Sequence, residues 1–319
     1  MISSAHSDSA YESGSELNSE AALHSNAPIG LFDSGLGGLT VARQLIRLLP
    51  NERIVYVADQ AHVPYGGREL NQICGFACGI SDALVRYGCK AVVMACNISS
   101  ATGLPHVRAE HPRIPVIGVI EPGARQAVET TKNGRIGVLT TEGTKRSGAY
   151  THTILTLNAE LKVYEVACPD FVPFVESELE ESLAAEEAAR RYLTSLQAEG
   201  VDTVILGCTH YPFLLPMLQR IAPEITFVDP AIATINALQQ GLTAYNLLSS
   251  ASLSSEHLDS DPVLSAPDFI IQLKHHLLTT SGDPVAFMHQ LSRFLPDTAH
   301  SATIAASEWK QGSLHLPTK

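Results

Sequence analysis

The sequence predicts an α/β protein of two pseudo-symmetric, doubly wound parallel-sheet domains with a site in the cleft between them. From Pro28 onward, short apolar runs closed by Gly, Pro or Asn alternate with helix-length stretches, the order of βα units around a parallel sheet. The pattern occurs twice at one spacing: Ile54 follows Ile29 by 25 residues, and Leu161 follows Ile136 by 25. A chain of 319 residues is also long enough to bury two cores.

Residues 1–27 are rich in Ser and Glu and poor in bulky apolar side chains, so they are expected to form a disordered tail. Residues 29–32, 54–58 and 91–95 are predicted strands, and 39–49 is the first crossover helix. In the second set the strands fall at 136–139, 161–166 and 203–207, and 178–199 reads as one acid-started helix ending before Gly200. Residues 249–266 are expected to be a loop, and 280–294 a closing strand end and helix.

The two sets also match residue by residue. Ile29-Gly30-Leu31-Phe32-Asp33-Ser34 aligns with Ile136-Gly137-Val138-Leu139-Thr140-Thr141, and each third strand runs into a cysteine, at Met94-Ala95-Cys96-Asn97 and Leu206-Gly207-Cys208-Thr209. This is an internal duplication. Ligands of open parallel sheets bind beyond the carboxyl ends of the strands, so two such halves facing each other would put Cys96 and Cys208 on opposite walls of one cleft.

Composition narrows the partners. A net charge of −12 without a long Lys/Arg run argues against nucleic acid or an anionic membrane as the main partner and favours a small metabolite. No stretch reaches the roughly 20 apolar residues of a membrane helix. The first 27 residues hold neither Lys nor Arg, unlike a signal or transit peptide, so a cytoplasmic protein is expected. Six cysteines, at 74, 78, 89, 96, 168 and 208, fit a reducing compartment in which thiols serve packing or chemistry. The sequence leaves the assembly open, a homodimer included.

Inversion at a carbon needs a base on one face and an acid on the other, and two pseudo-symmetric thiols supply that arrangement. Each thiol needs help to form its thiolate. Both cysteines precede a predicted helix, His210 lies two residues after Cys208, and Asp33 ends the strand beside Cys96. Plainer readings stand beside these. Asp33 also fits a cap for the helix after Gly35, Cys208-x-His210 is half a metal site without evident further ligands, and Gly35-x-Gly37-Gly38 is shorter than a dinucleotide fingerprint. Cys74, Cys78 and Cys89 read as core or bystanders, Cys168 as structural, and His62, His106, His111 and His152 as surface groups.

Five segments carry a family resemblance. Ile29-Gly30-Leu31-Phe32-Asp33-Ser34-Gly35-Leu36-Gly37-Gly38-Leu39-Thr40-Val41, Pro64-Tyr65-Gly66, Ala95-Cys96-Asn97, Gly207-Cys208-Thr209-His210-Tyr211-Pro212 and Val228-Asp229-Pro230 are similar, in order, to motifs of bacterial glutamate racemases. The likeness spans roughly residues 28–240, with an echo at Ser281-Gly282-Asp283-Pro284. It implies interconversion of L- and D-glutamate for peptidoglycan, with neither pyridoxal phosphate nor a metal; the alternatives are another racemase or isomerase of the same superfamily with paired cysteines, or a two-lobed amino-acid binding protein with weakened catalysis. It implies that Cys96 and Cys208 are the acid and base, Asp33 assisting the first and His210 the second. Ser34, Pro64, Tyr65 and Gly66 would line the pocket, Asn97 and Thr209 would hold the amino acid, Thr141 and Thr144 would meet its carboxylates, and Glu176 would support His210. The implied division is a first domain over 28–117 plus 231–319 and a second over 118–230. This sequence departs from the family at Ile98, where Thr is usual and would face the substrate; Ser99 or Ser100 is a candidate replacement for the missing hydroxyl. Thr140, Glu69 and Gln60 are milder departures.

Overall fold

The computed structural model describes residues 24–249, 276–295 and 302–318. The first sheet contains β1 (Ile29–Asp33), β2 (Ile54–Ala58), β3 (Ala91–Met94) and β4 (Val116–Gly118), separated by α1 (Leu39–Leu48), α2 (Leu70–Tyr87) and α3 (Asn97–Glu110). β1, β2 and β3 are buried at every position, as expected of Val/Ile-rich parallel strands covered on both faces. After β4 the chain runs through α4 (Ile120–Thr130) into a second sheet. That sheet is built from β5 (Arg135–Thr140), β6 (Lys162–Ala167), β7 (Thr203–Gly207) and β8 (Thr226–Val228). Its connections carry α5 (Glu142–Ser147), α6 (Ala149–Leu157), α7 (Phe171–Glu176), α8 (Leu183–Ala198) and α9 (Leu215–Ile221).

The strand order is the same in both sheets. It runs β2-β1-β3-β4 in the first and β6-β5-β7-β8 in the second, all pairs parallel. In each, the first strand sits between the second and third, so the order reverses at β1/β3 and again at β5/β7. Such a switch point splays the connecting loops to opposite faces and opens a crevice at the strand ends. Asp33 and Cys96 lie at the first crevice; Thr140 and Cys208 lie at the second.

From β8, α10 (Pro230–Ala244) packs on α1 and α4. The chain then re-enters the first sheet as β9 (Leu277–Thr280), beside β2. α11 (Pro284–Phe294) follows, and β10 (Thr303–Ala306) extends that sheet beside β9. An antiparallel pair, β11 (Glu308–Lys310) and β12 (Ser313–His315), closes the described chain.

The helix expected over 178–199 starts late, as α8 at Leu183, and is separate from the short α7 before it. α7 ends at Glu176, Glu178 takes a left-handed φ of 58°, and α8 starts only after Ser182, whose hydroxyl caps the Ala185 N–H. A serine that satisfies the free N–H groups of a first turn starts a helix where it stands. At the chain start, residues 1–23 lie outside the described residues, but 24–27 are held to the body: Arg53 donates to the Asn26 carbonyl at 2.8 Å and the buried Lys90 to that of Ser25. Of the loop expected over 249–266, only Ser249 is described.

Candidate active site

β3 delivers Cys96 to the N-cap of α3, where the free amides of a helix start favour a nearby anion. Burial and the neighbouring Asp33 carboxylate nevertheless push the Cys96 thiol up to about 12, against the N–H and hydroxyl of Ser99, which favour the thiolate. Asp33 is itself buried. Its Oδ2 accepts the Gly38 N–H at 2.8 Å, so Asp33 does cap the approach to α1, and also accepts the Thr209 hydroxyl at 3.4 Å. Asp33 Oδ1 has no hydrogen-bond partner among the described residues.

On the other wall, β7 delivers Cys208, but no α-helix starts there. A short 3₁₀ turn, Tyr211–Leu214, follows, and α9 begins only at Leu215. Such a turn aligns few peptide dipoles, so the electrostatics around Cys208 come chiefly from His210. His210 Nδ1 lies 3.8 Å from Cys208 Sγ, and Nε2 lies 3.3 Å from the Oε1 of the exposed Glu176 at the end of α7. Burial alone would lower the imidazole, but its contacts with Cys208 and Glu176, aided by the Asp33 charge, raise it to about 10. The same contact with His210 lowers the Glu176 carboxyl, against partial desolvation. These contacts favour the protonated form of the His210 ring.

The halves interlock closely. A Cβ on Gly37 would fall 2.6 Å from His210 Nδ1, so only glycine lets the loop after β1 pass under the Cys208 wall. Tyr150, on α6, donates its hydroxyl to Asn97 Oδ1 at 2.7 Å across the two halves. Arg146, on α5, donates to the Arg68 carbonyl at 2.6 Å. A Cβ on Gly143 would come 3.0 Å from the Gly66 carbonyl and 3.4 Å from Ile98 Cγ1.

Most of the expected residues converge here. Thr141 caps α5, its hydroxyl 3.1 Å from that of the buried Thr144. Ser34 is half-buried after β1, Gly66 half-buried and Pro64 exposed on the loop after β2. Tyr65 is buried with Cys96, Ile98 and Ile73 in one small apolar cluster. Ser100 does not face the site, since its hydroxyl donates to the Met94 carbonyl at 2.7 Å; Ser99 is the serine beside Cys96. His62 is not a free surface group, lying 2.8 Å from Asp59 Oδ2. Sequence reasoning missed Tyr150 and Asp59. Asp59 directly follows β2, a strand-end position that was a usable signal; Tyr150 lies in no motif. Among the described residues no His/Cys/Asp/Glu group is arranged to hold a metal ion, and no helix is long and apolar enough to cross a membrane.

Two pseudo-symmetric α/β halves with a cysteine at corresponding strand ends define a two-lobed α/β protein. The family model for Asp/Glu/hydantoin racemases matches residues 29–238. The glutamate racemase of Corynebacterium diphtheriae is 41% identical over 85% of this chain and 94% of its own length, and that of Desulforudis audaxviator is 44% identical over 68% and 82%. Among solved structures, glutamate racemase RacE1 of Bacillus anthracis superposes with a TM-score of 0.77 at 33% identity, covering 91% of this chain and all (100%) of that one. The Francisella tularensis glutamate racemase in complex with D-glutamate gives a TM-score of 0.76 at 28% identity, covering 90% and 98%. The chain belongs to the Asp/Glu/hydantoin racemase family, where it groups with the glutamate racemases.

Proposed function

We propose that this enzyme interconverts L- and D-glutamate by passing the α-proton between Cys96 and Cys208, without a cofactor. One observation carries the reading: the two thiols stand at corresponding switch points of duplicated sheets whose ends are joined by the Asp33–Thr209 contact. In one direction the Cys208 sulfur, beside the His210 imidazolium, takes the α-proton and leaves a planar carbanion. Cys96, held protonated by burial and Asp33, then delivers its proton to the opposite face. The site ends with the thiol and thiolate exchanged, and Asp33 and His210 return the protons to their starting places.

The α-proton of an amino acid is far less acidic than a thiol, so fixed donors must stabilise the carbanion in a water-poor cleft. Thr141 and Thr144 at the start of α5, with Ser34, Asn97 and Thr209, are the groups suited to the carboxylates and ammonium. Pro64, Tyr65, Gly66 and Ile98 form the wall beside Cys96. With both cysteines over nine-tenths buried, the two halves, 28–117 plus 231–319 and 118–230, must part to admit substrate. The product would serve peptidoglycan synthesis in the cytoplasm. In D₂O, L-glutamate should yield D-glutamate carrying α-deuterium, followed by NMR and chiral chromatography. Cys96→Ser and Cys208→Ser should each abolish racemisation with the fold intact, because an alcohol is too weak an acid. Near-normal racemisation by either variant would refute the two-thiol reading.

A further inference from the structure

Asp59 is a fully buried carboxylate that the proposed chemistry does not use. Its Oδ2 accepts the Tyr65 hydroxyl at 2.6 Å and lies 2.8 Å from His62 Nδ1. Its Oδ1 accepts from Ser281 Oγ at 2.7 Å and from the indole N–H of Trp309 at 2.8 Å. A buried charge persists only when its lone pairs are filled, so these groups, drawn from three distant parts of the chain, hold one another in place through it.

Trp309 stands on β11, 250 residues from Asp59. Its ring meets His62 edge-on at 5.1 Å and Phe76 at 5.9 Å, and a Cβ on Gly79 would come 3.0 Å from it. Phe76 in turn packs on Tyr65 at 5.6 Å, and Tyr65 shares its cluster with Cys96 and Ile98. A ring that merely stapled the hairpin to the body would need no donor aimed at the carboxylate that also holds Tyr65.

We propose that Trp309 is a positioning residue for the Cys96 wall: through Asp59 it fixes the Tyr65 ring and with it the Pro64-Tyr65-Gly66 loop. This rests on that loop lining the glutamate site. Trp309→Phe keeps an aromatic ring, though a smaller one, and removes the donor, and should lower kcat/KM for glutamate about tenfold. Acting through Tyr65, it should cost less than about twofold more in a Tyr65→Phe background, a coupling that a double-mutant cycle isolates and a simple staple does not produce. Trp309 is also the chain's one tryptophan, so saturating glutamate should change the emission of the wild type but not of Tyr65→Phe, a readout independent of whether Trp309→Phe folds. Full activity in Trp309→Phe, or an equal loss in both backgrounds, overturns the positioning role alone. Unchanged kcat/KM in Tyr65→Phe overturns the reading of the loop and this inference with it.

Discussion

The Thr209 hydroxyl reaches Asp33 Oδ2 at 3.4 Å and joins two strand ends that are 176 residues apart. Through this contact a buried carboxylate oxygen of Asp33, the residue beside Cys96, holds both the Gly38 N–H and the residue after Cys208. Thr209→Val keeps the shape and removes the donor. We expect kcat/KM to fall about tenfold or more, since a bond to a charged group is worth about 1.5–3 kcal/mol. Steady-state kinetics beside a melting curve separates this from unfolding; unchanged kinetics would show that the contact is incidental.

His210 sets a pH dependence whose sign follows from its raised value of about 10, above the 6.5 of an ordinary imidazole. Its favourable contribution to stability is complete below about pH 6.5 and is lost as the pH rises through 10. The wild type should therefore lose stability over that window relative to His210→Asn, which lacks the titrating ring. Cys208→Ser should lower the His210 titration, because the contact with Cys208 is the first of the influences that raise it. NMR of the imidazole Cε1–H reads both; a midpoint near 6.5 in the wild type contradicts the assignment.

Ile98 puts an apolar side chain where the family resemblance of the sequence implies a threonine hydroxyl. It is buried against Tyr65, Ile73 and Cys96. Ile98→Thr should raise kcat/KM for glutamate by about ten to a hundredfold while costing about 1–3 kcal/mol of stability, because a hydroxyl replaces a buried ethyl group. Activity unchanged in the variant would show that the pocket has no use for that hydroxyl.

The buried Lys90–Glu52 pair, 2.5 Å apart, anchors the start of the described chain. Burial pushes the Lys90 ammonium down while Glu52 holds it up, and Glu52 Oε1 also accepts the Ser249 N–H at 3.0 Å. Glu52→Ala leaves an unpaired buried cation and should cost about 3–5 kcal/mol. A chain beginning at 28 should melt below one beginning at 24, because the Ser25 and Asn26 carbonyls that Lys90 and Arg53 engage are then missing. Equal melting temperatures would count against this anchor.

The sequence by itself determined the two βα sets, the strands that run into Asp33, Cys96, Thr140 and Cys208, and hence the corresponding positions of the two cysteines. Those features are local: apolar runs, their spacing and the repeated Ile-Gly start are written within a few residues of where they act. Only the tertiary structure decided what surrounds them. The contact of Tyr150 with Asn97 spans 53 residues and that of Trp309 with Asp59 spans 250, so no periodicity reveals them. The break before Ser182 and the 3₁₀ turn after Cys208 were equally hidden. There a hydroxyl cap and the packing of a short loop outweigh helical propensity, which contributes only tenths of a kcal/mol per residue.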